Sequence, residues 1–123
     1  MTNIRPGFQG GRNIAMKIPP YQYKPARDFY ESVLGLPLLE EHESGCSFEF
    51  GPLHLHLDIL PAIGQPELWL EVITDDTALA ADYLADEGVV RRDEAEPLPE
   101  GFDGFWISNP AGIIHLVAGF GEA

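Results

Sequence analysis

Apolar and polar positions alternate along this chain at two periods, and the switches between them mark out its elements. Asn13–Ile18 (NIAMKI) is a short apolar run that stops at Pro19-Pro20, which reads as a strand. Pro25 suits the first turn of a helix, where its missing N–H has no partner to lose. Behind it Phe29, Tyr30, Val33 and Leu34 recur at helical spacing, and Gly35 can supply a left-handed end. This spacing predicts a helix over about 25–34, with Tyr21 and Tyr23 in a long preceding loop. Such a loop is either a lid over a site or a tolerated insertion. Three strand-like runs follow: a weakly patterned one at 38–43, one at 46–50 before the turn at Gly51-Pro52, and one at 53–59. In the last, Leu53, Leu55 and Leu57 share one face while His54, His56 and Asp58 share the other, because strand side chains alternate.

After a loop at 61–66 (PAIGQP) the plan repeats. Leu68, Leu70 and Val72 alternate with Glu67, Trp69 and Glu71. Asp75 or Asp76 can cap a helix running through Leu79, Tyr83 and Leu84 to Gly88. Strands are expected at 89–92, 102–108 and 113–118, the last with Ile114, Leu116 and Ala118 on its core face and His115 opposite. The helix-ending glycines at 35 and 88 are 53 residues apart, and the strand starts at Asn13 and Glu67 are 54 apart. Agreement of two landmarks indicates two copies of a strand–helix–three-strand module, and two copies favour a pseudo-twofold sheet over a solenoid. One such module would bury little apolar surface alone, so pairing is physically expected.

Composition narrows the classes. A chain of 123 residues suits one domain, and 45% hydrophobic residues exclude a disordered polyelectrolyte despite a formal charge of -13. Residues 1–12 carry no periodic pattern and read as a flexible N-terminal arm, leaving 13–123 as a single domain with modules at about 13–60 and 67–120. No apolar stretch reaches the ~18 residues of a membrane helix, and the N-terminus lacks the apolar core of a secretory signal. The expected setting is the cytoplasm. The single cysteine, Cys46, excludes an internal disulfide and a cysteine-rich zinc site, and it has no local nucleophile signature. From Asp28 to Val90, both included, there are fourteen carboxylates and no Lys or Arg. Such a surface repels phosphate backbones, so nucleic acid is not an expected partner; a cationic ligand or a metal ion suits the field.

Three segments carry a family resemblance: FYESVLGLPLLEE (29–41), LWLEV before Asp75-Asp76, and FWISNPAGIIHLV (105–117). Together they resemble the vicinal oxygen chelate superfamily of glyoxalases, bleomycin- and fosfomycin-resistance proteins and extradiol dioxygenases, over residues 13 to about 120. The resemblance implies an α+β fold of two tandem βαβββ modules forming a curled mixed sheet with a central cup, usually in a homodimer. The cup would collect His54, His56, Asp58, Glu67, Trp69, Glu71 and His115. In this family the metal ligands come from the first and last strands of each module. Asn13 falls on the first-strand position, where relatives resemble one another in carrying His, Gln or Glu, and asparagine is a weak neutral ligand. Glu67 is its repeat mate, and the last strands offer His54, His56 or Asp58 and then His115.

Two functions follow as expectations. One is a metal-dependent isomerase, lyase or dioxygenase for a small oxygenated substrate, with His56, Glu67 and His115 holding a divalent ion (Zn, Fe, Ni or Mn). Glu71 or Asp58 would then act as general base, and Asn13, His54 and Trp69 would line the pocket. The other is a metal-free small-molecule binder similar to the bleomycin-resistance proteins, using an acidic, aromatic groove for a cationic ligand.

Overall fold

The computed structural model describes residues 5–122; residues 1–4 of the expected arm, and Ala123, lie outside the described residues. In chain order the elements are β1 (Phe8–Gly10), β2 (Asn13–Ile18), α1 (Pro20–Asp28) running into a π-helical turn (Phe29–Val33), β3 (Leu38–His42), β4 (Gly45–Phe50) and β5 (Leu53–Ile59). Then come β6 (Glu67–Thr74), α2 (Thr77–Asp86), β7 (Val90–Arg91), β8 (Gly104–Ser108), β9 (Ile114–Gly119) and a short 3-10 turn (Phe120–Glu122). The class is α+β, and the order βαβββ occurs twice, from β2 to β5 and from β6 to β9. Among the described residues two compact units divide the chain within β6: Arg12–Trp69, and residues 5–11 with 70–122.

In the Arg12–Trp69 unit, β2 runs parallel to β5 and antiparallel to the start of β6, while β4 pairs β5 and β3 pairs β4, both antiparallel. Ile18, Cys46, Phe48, Leu55 and Leu57 form the buried core, against which Tyr23, Ala26 and Tyr30 of the helical segment pack. The helix begins at Pro20, five residues before the expected start, with extended Pro19 as its cap. Pro20 already supplies the fixed φ that a first turn prefers, and Pro25 lies inside the helix, where it removes one backbone donor. The packing of Tyr23 and Ala26 on either side of Pro25 offsets that loss, and Tyr21 and Tyr23 belong to α1 instead of a loop. Past the π-turn, Leu34 N–H donates to the Phe29 carbonyl at 2.9 Å and Gly35 turns the chain at φ 70°.

In the other unit, the rest of β6 runs parallel to β9, β9 pairs β8 and β8 pairs β7, while β1 lies antiparallel to β6 with Phe8 opposite Thr74. Asp76 caps α2 by accepting the Leu79 N–H at 3.0 Å, and Ala80, Phe105 and Val117 form its core with Ala81, Leu84 and Ile107. The N-terminal segment differs from the expected loose arm over Phe8–Gly10. Its strand is held by Asp75 Oδ1, which accepts the Gly7 N–H at 3.0 Å, and by Thr74 Oγ1, which donates to the Gly7 carbonyl at 2.8 Å. A three-residue strand (FQG) is too short to show alternation, so backbone pairing, not side-chain pattern, places it.

Candidate functional site

The face of the Arg12–Trp69 unit turned away from α1 carries the candidate side chains of β2, β5 and the start of β6. Ile14, Met16 and Ile18 of β2, and Leu55 and Leu57 of β5, pack into the core with the helix. Alternation therefore sends Asn13, Ala15 and Lys17, and likewise His54, His56 and Asp58, to the opposite face. The register sets them in rows. Asn13 lies beside His54; Ala15 lies between His56 and Trp69; Lys17 lies between Asp58 and Glu67.

Asn13, His56, Lys17, Asp58, Trp69 and Glu67 each have a side-chain partner in these rows. His56 Nε2 is 2.7 Å from Asn13 Oδ1, an oxygen that can only accept, so this nitrogen carries the proton. Lys17 Nζ donates to Asp58 Oδ2 at 2.9 Å and sits 4.5 Å from the centroid of the Trp69 ring. The lysine side chain is only 4% exposed, against 28% for Asp58. Trp69 Nε1 donates to Glu67 Oε1 at 3.1 Å, tying the two ends of the last row together. His54 and Glu67 are exposed, Trp69 is buried and His56 is half-buried.

Lys17 was not among the candidates drawn from sequence. Its parity with Asn13 in a period-two strand is the signal that could have found it. A lysine is seldom buried unless paired, and its partner, Asp58, is 41 residues away in the chain.

Glu71 and His115 belong to the other unit. Glu71 is half-buried, and its carbonyl accepts the Gly11 N–H at 2.9 Å. In β9 the parity is the reverse of the expected one. Val117 packs with Ala80, Ala81 and Leu84 of α2, so His115, two residues earlier, lies on that helix-facing side. Its Nδ1 is 3.0 Å from the Ile113 carbonyl and donates to it. The reason is legible in burial: Ile114, Val117 and Ala118 are all buried, so the strand is apolar on both faces and its alternation is hidden.

Beneath α1, the Cys46 thiol is fully buried, and burial is the main cause that raises its pKa. Burial also pushes the Tyr23 phenol up to about 12, helped by its contact with Cys46. Arg27 is held charged chiefly by Glu41, with Glu31 also paired to it at 3.3 Å.

No family model and no curated protein sequence matches this chain. Solved structures do match in shape. The Mn(II)-bound glyoxalase from Novosphingobium aromaticivorans superposes with a TM-score of 0.68 at 15% identity, over 94% of this chain and 40% of that one. The homoprotocatechuate 2,3-dioxygenase from Brevibacterium fuscum, in complex with 3,4-dihydroxyphenylacetate, gives 0.65 at 19% identity, over 96% and 38%. The chain has the vicinal oxygen chelate fold. It therefore spans well under half the length of these two fold relatives. A hypothetical protein from Bacillus halodurans C-125 is closer in size, with a TM-score of 0.64 at 16% identity over 91% of this chain and 94% of that one.

A vicinal oxygen chelate fold raises the question of a divalent ion, and the residues of the β2–β5–β6 face answer it by their chemistry. His56 directs a protonated nitrogen at Asn13, Asp58 is neutralised by Lys17, and a buried ammonium stands in the same row as both carboxylates. Within either unit, among the described residues, no three His, Cys, Asp or Glu side chains gather into a group that could hold a metal. In this arrangement the donors do not fit a metal centre. No helix among the described residues is long and apolar enough to cross a membrane.

Proposed function

We propose that the chain binds a small organic molecule on the β2–β5–β6 face without a metal ion, the second of the two functions expected from the sequence. The observation that carries this reading is the Lys17–Asp58 ion pair, which supplies a positive charge where a divalent ion would otherwise balance the carboxylates. The rest of the face is suited to holding a ligand. Exposed His54 and Glu67 offer polar contacts at its margin, and buried Trp69, bonded to Glu67, is the fluorescent reporter beside them. With a formal charge of -13, the surrounding field favours a cationic aromatic ligand over an anionic one, seated with its charge toward exposed Glu67 and away from the Lys17 ammonium. A homodimer working in the cytoplasm, with neither nucleic acid nor membrane as partner, belongs to the same proposal.

The metal-dependent reading draws its support from the likeness to a Mn(II)-bound glyoxalase. With His56, Glu67 and His115 as ligands and Glu71 or Asp58 as base, it requires His56 to give up Asn13 and Asp58 to give up Lys17. Titration of tryptophan fluorescence with a cationic aromatic dye separates the two readings. Saturable quenching in excess chelator, unchanged by added Mn²⁺ and abolished in Trp69→Phe, is the expected result. Quenching that appears only when Mn²⁺ is present would overturn the metal-free reading.

A further inference from the structure

We infer that the Lys17 ammonium is the resident cation of this face and is what keeps divalent metal ions off it. The inference deepens the metal-free reading above, and rests on it, by naming the residue responsible. Lys17 is placed by register between two carboxylates that share its face, Asp58 on β5 and Glu67 on β6. Its charge is fixed in position: Nζ bonds Asp58 at 2.9 Å, lies 4.5 Å from the Trp69 centroid, and is shielded from water by a side chain 4% exposed. Glu67 in turn accepts from the indole N–H, so the carboxylates, the ring and the ammonium form one connected cluster.

Carboxylates on both strands that flank β2 call for a balancing cation between them, and oxygen donors of this kind suit a hard divalent ion. The ammonium meets that need from within the chain. A divalent ion brought to about 4 Å from it would be bound roughly thirtyfold more weakly than in its absence, even at the dielectric of water. Replacing the ammonium by an apolar side chain of similar length removes that penalty while leaving Asp58 and Glu67 in place.

The test is Mn²⁺ binding to the full chain, read from the loss of the free-ion electron paramagnetic resonance signal. Lys17→Met is expected to bind Mn²⁺ roughly thirtyfold or more tightly than the parent chain, whereas Lys17→Arg, which keeps the charge, gains nothing. Circular dichroism establishes that each variant is folded, and Lys17→Gln replaces Lys17→Met should the latter not fold. A folded, uncharged variant with no gain overturns the inference and leaves the metal-free reading standing. A comparison free of lysine variants decides independently: the parent should bind Mn²⁺ no better than Asp58→Asn. Mn²⁺ bound by the parent and lost in Asp58→Asn overturns the inference. Mn²⁺ bound by the parent and lost in His56→Ala, but not in Asp58→Asn, overturns the metal-free reading itself.

Discussion

Removing either partner of the Lys17–Asp58 pair should have unequal costs, because only one of the two can reach water. Asp58→Ala strands an ammonium whose side chain is 4% exposed. Breaking a fully buried pair in this way costs about 3–5 kcal/mol, the penalty of an uncompensated charge. Asp58 is itself 28% exposed, so water reaches the pair and the expected loss falls to roughly 2–3 kcal/mol. Lys17→Met leaves a carboxylate that solvent can partly hydrate and adds apolar burial against Trp69, so its cost should be about 0–1 kcal/mol. The double variant should be less destabilised than the sum of the singles by about 1–2 kcal/mol, since it removes both charges together. Urea unfolding followed by circular dichroism measures all three, and Asp58→Ala should also lower the melting temperature by roughly 8–12 °C. Equal losses for the two single variants, or additivity within about 0.5 kcal/mol, would refute the placement of Lys17 as a buried, Asp58-dependent charge.

Three further outcomes follow from the units around this face. Gly45→Ala would drive a β-carbon into the Leu57 carbonyl oxygen, a rigid backbone atom, so a loss of about 3 kcal/mol or more, or insoluble expression, is expected. Asp76→Ala removes the cap on the Leu79 N–H and should cost about 1 kcal/mol in the same unfolding assay. Because burial raises the Tyr23 phenol from 10.0 to about 12, the folded chain holds that proton more tightly than the unfolded one. Stability should therefore decline as pH rises from 10.0 to about 12, and Tyr23→Phe should flatten that slope.

How much of this was legible in the sequence varied with how many faces of each strand are buried. NIAMKI gave its bounds as an apolar run stopped by Pro19-Pro20, and LHLHLDI, which alternates without fault, gave both its bounds and the shared face of His54, His56 and Asp58. The module repeat was readable because Gly35 and Gly88 both end their helices at positive φ. β9 was not readable in the same way: IHLVAG is apolar on both sides, and His115 was placed by assuming an alternation that the strand does not have. The helix start was misplaced because three prolines offered two candidate first turns, and only the packing of Tyr23 on the core decides for Pro20. The site's central residue, Lys17, was hidden for a different reason. A lone lysine in an apolar strand becomes informative only once the register sets Asp58 and Glu67 on either side of it.

The claim that this face works with an internal ammonium in place of a metal is tested most directly by elemental analysis. The chain would be purified without added metal, incubated with excess Mn²⁺ or Zn²⁺, passed through a desalting column and measured by mass spectrometry. Metal content far below one ion per chain is predicted for both preparations. A content of about one divalent ion per chain, the stoichiometry of a mononuclear site, would contradict it.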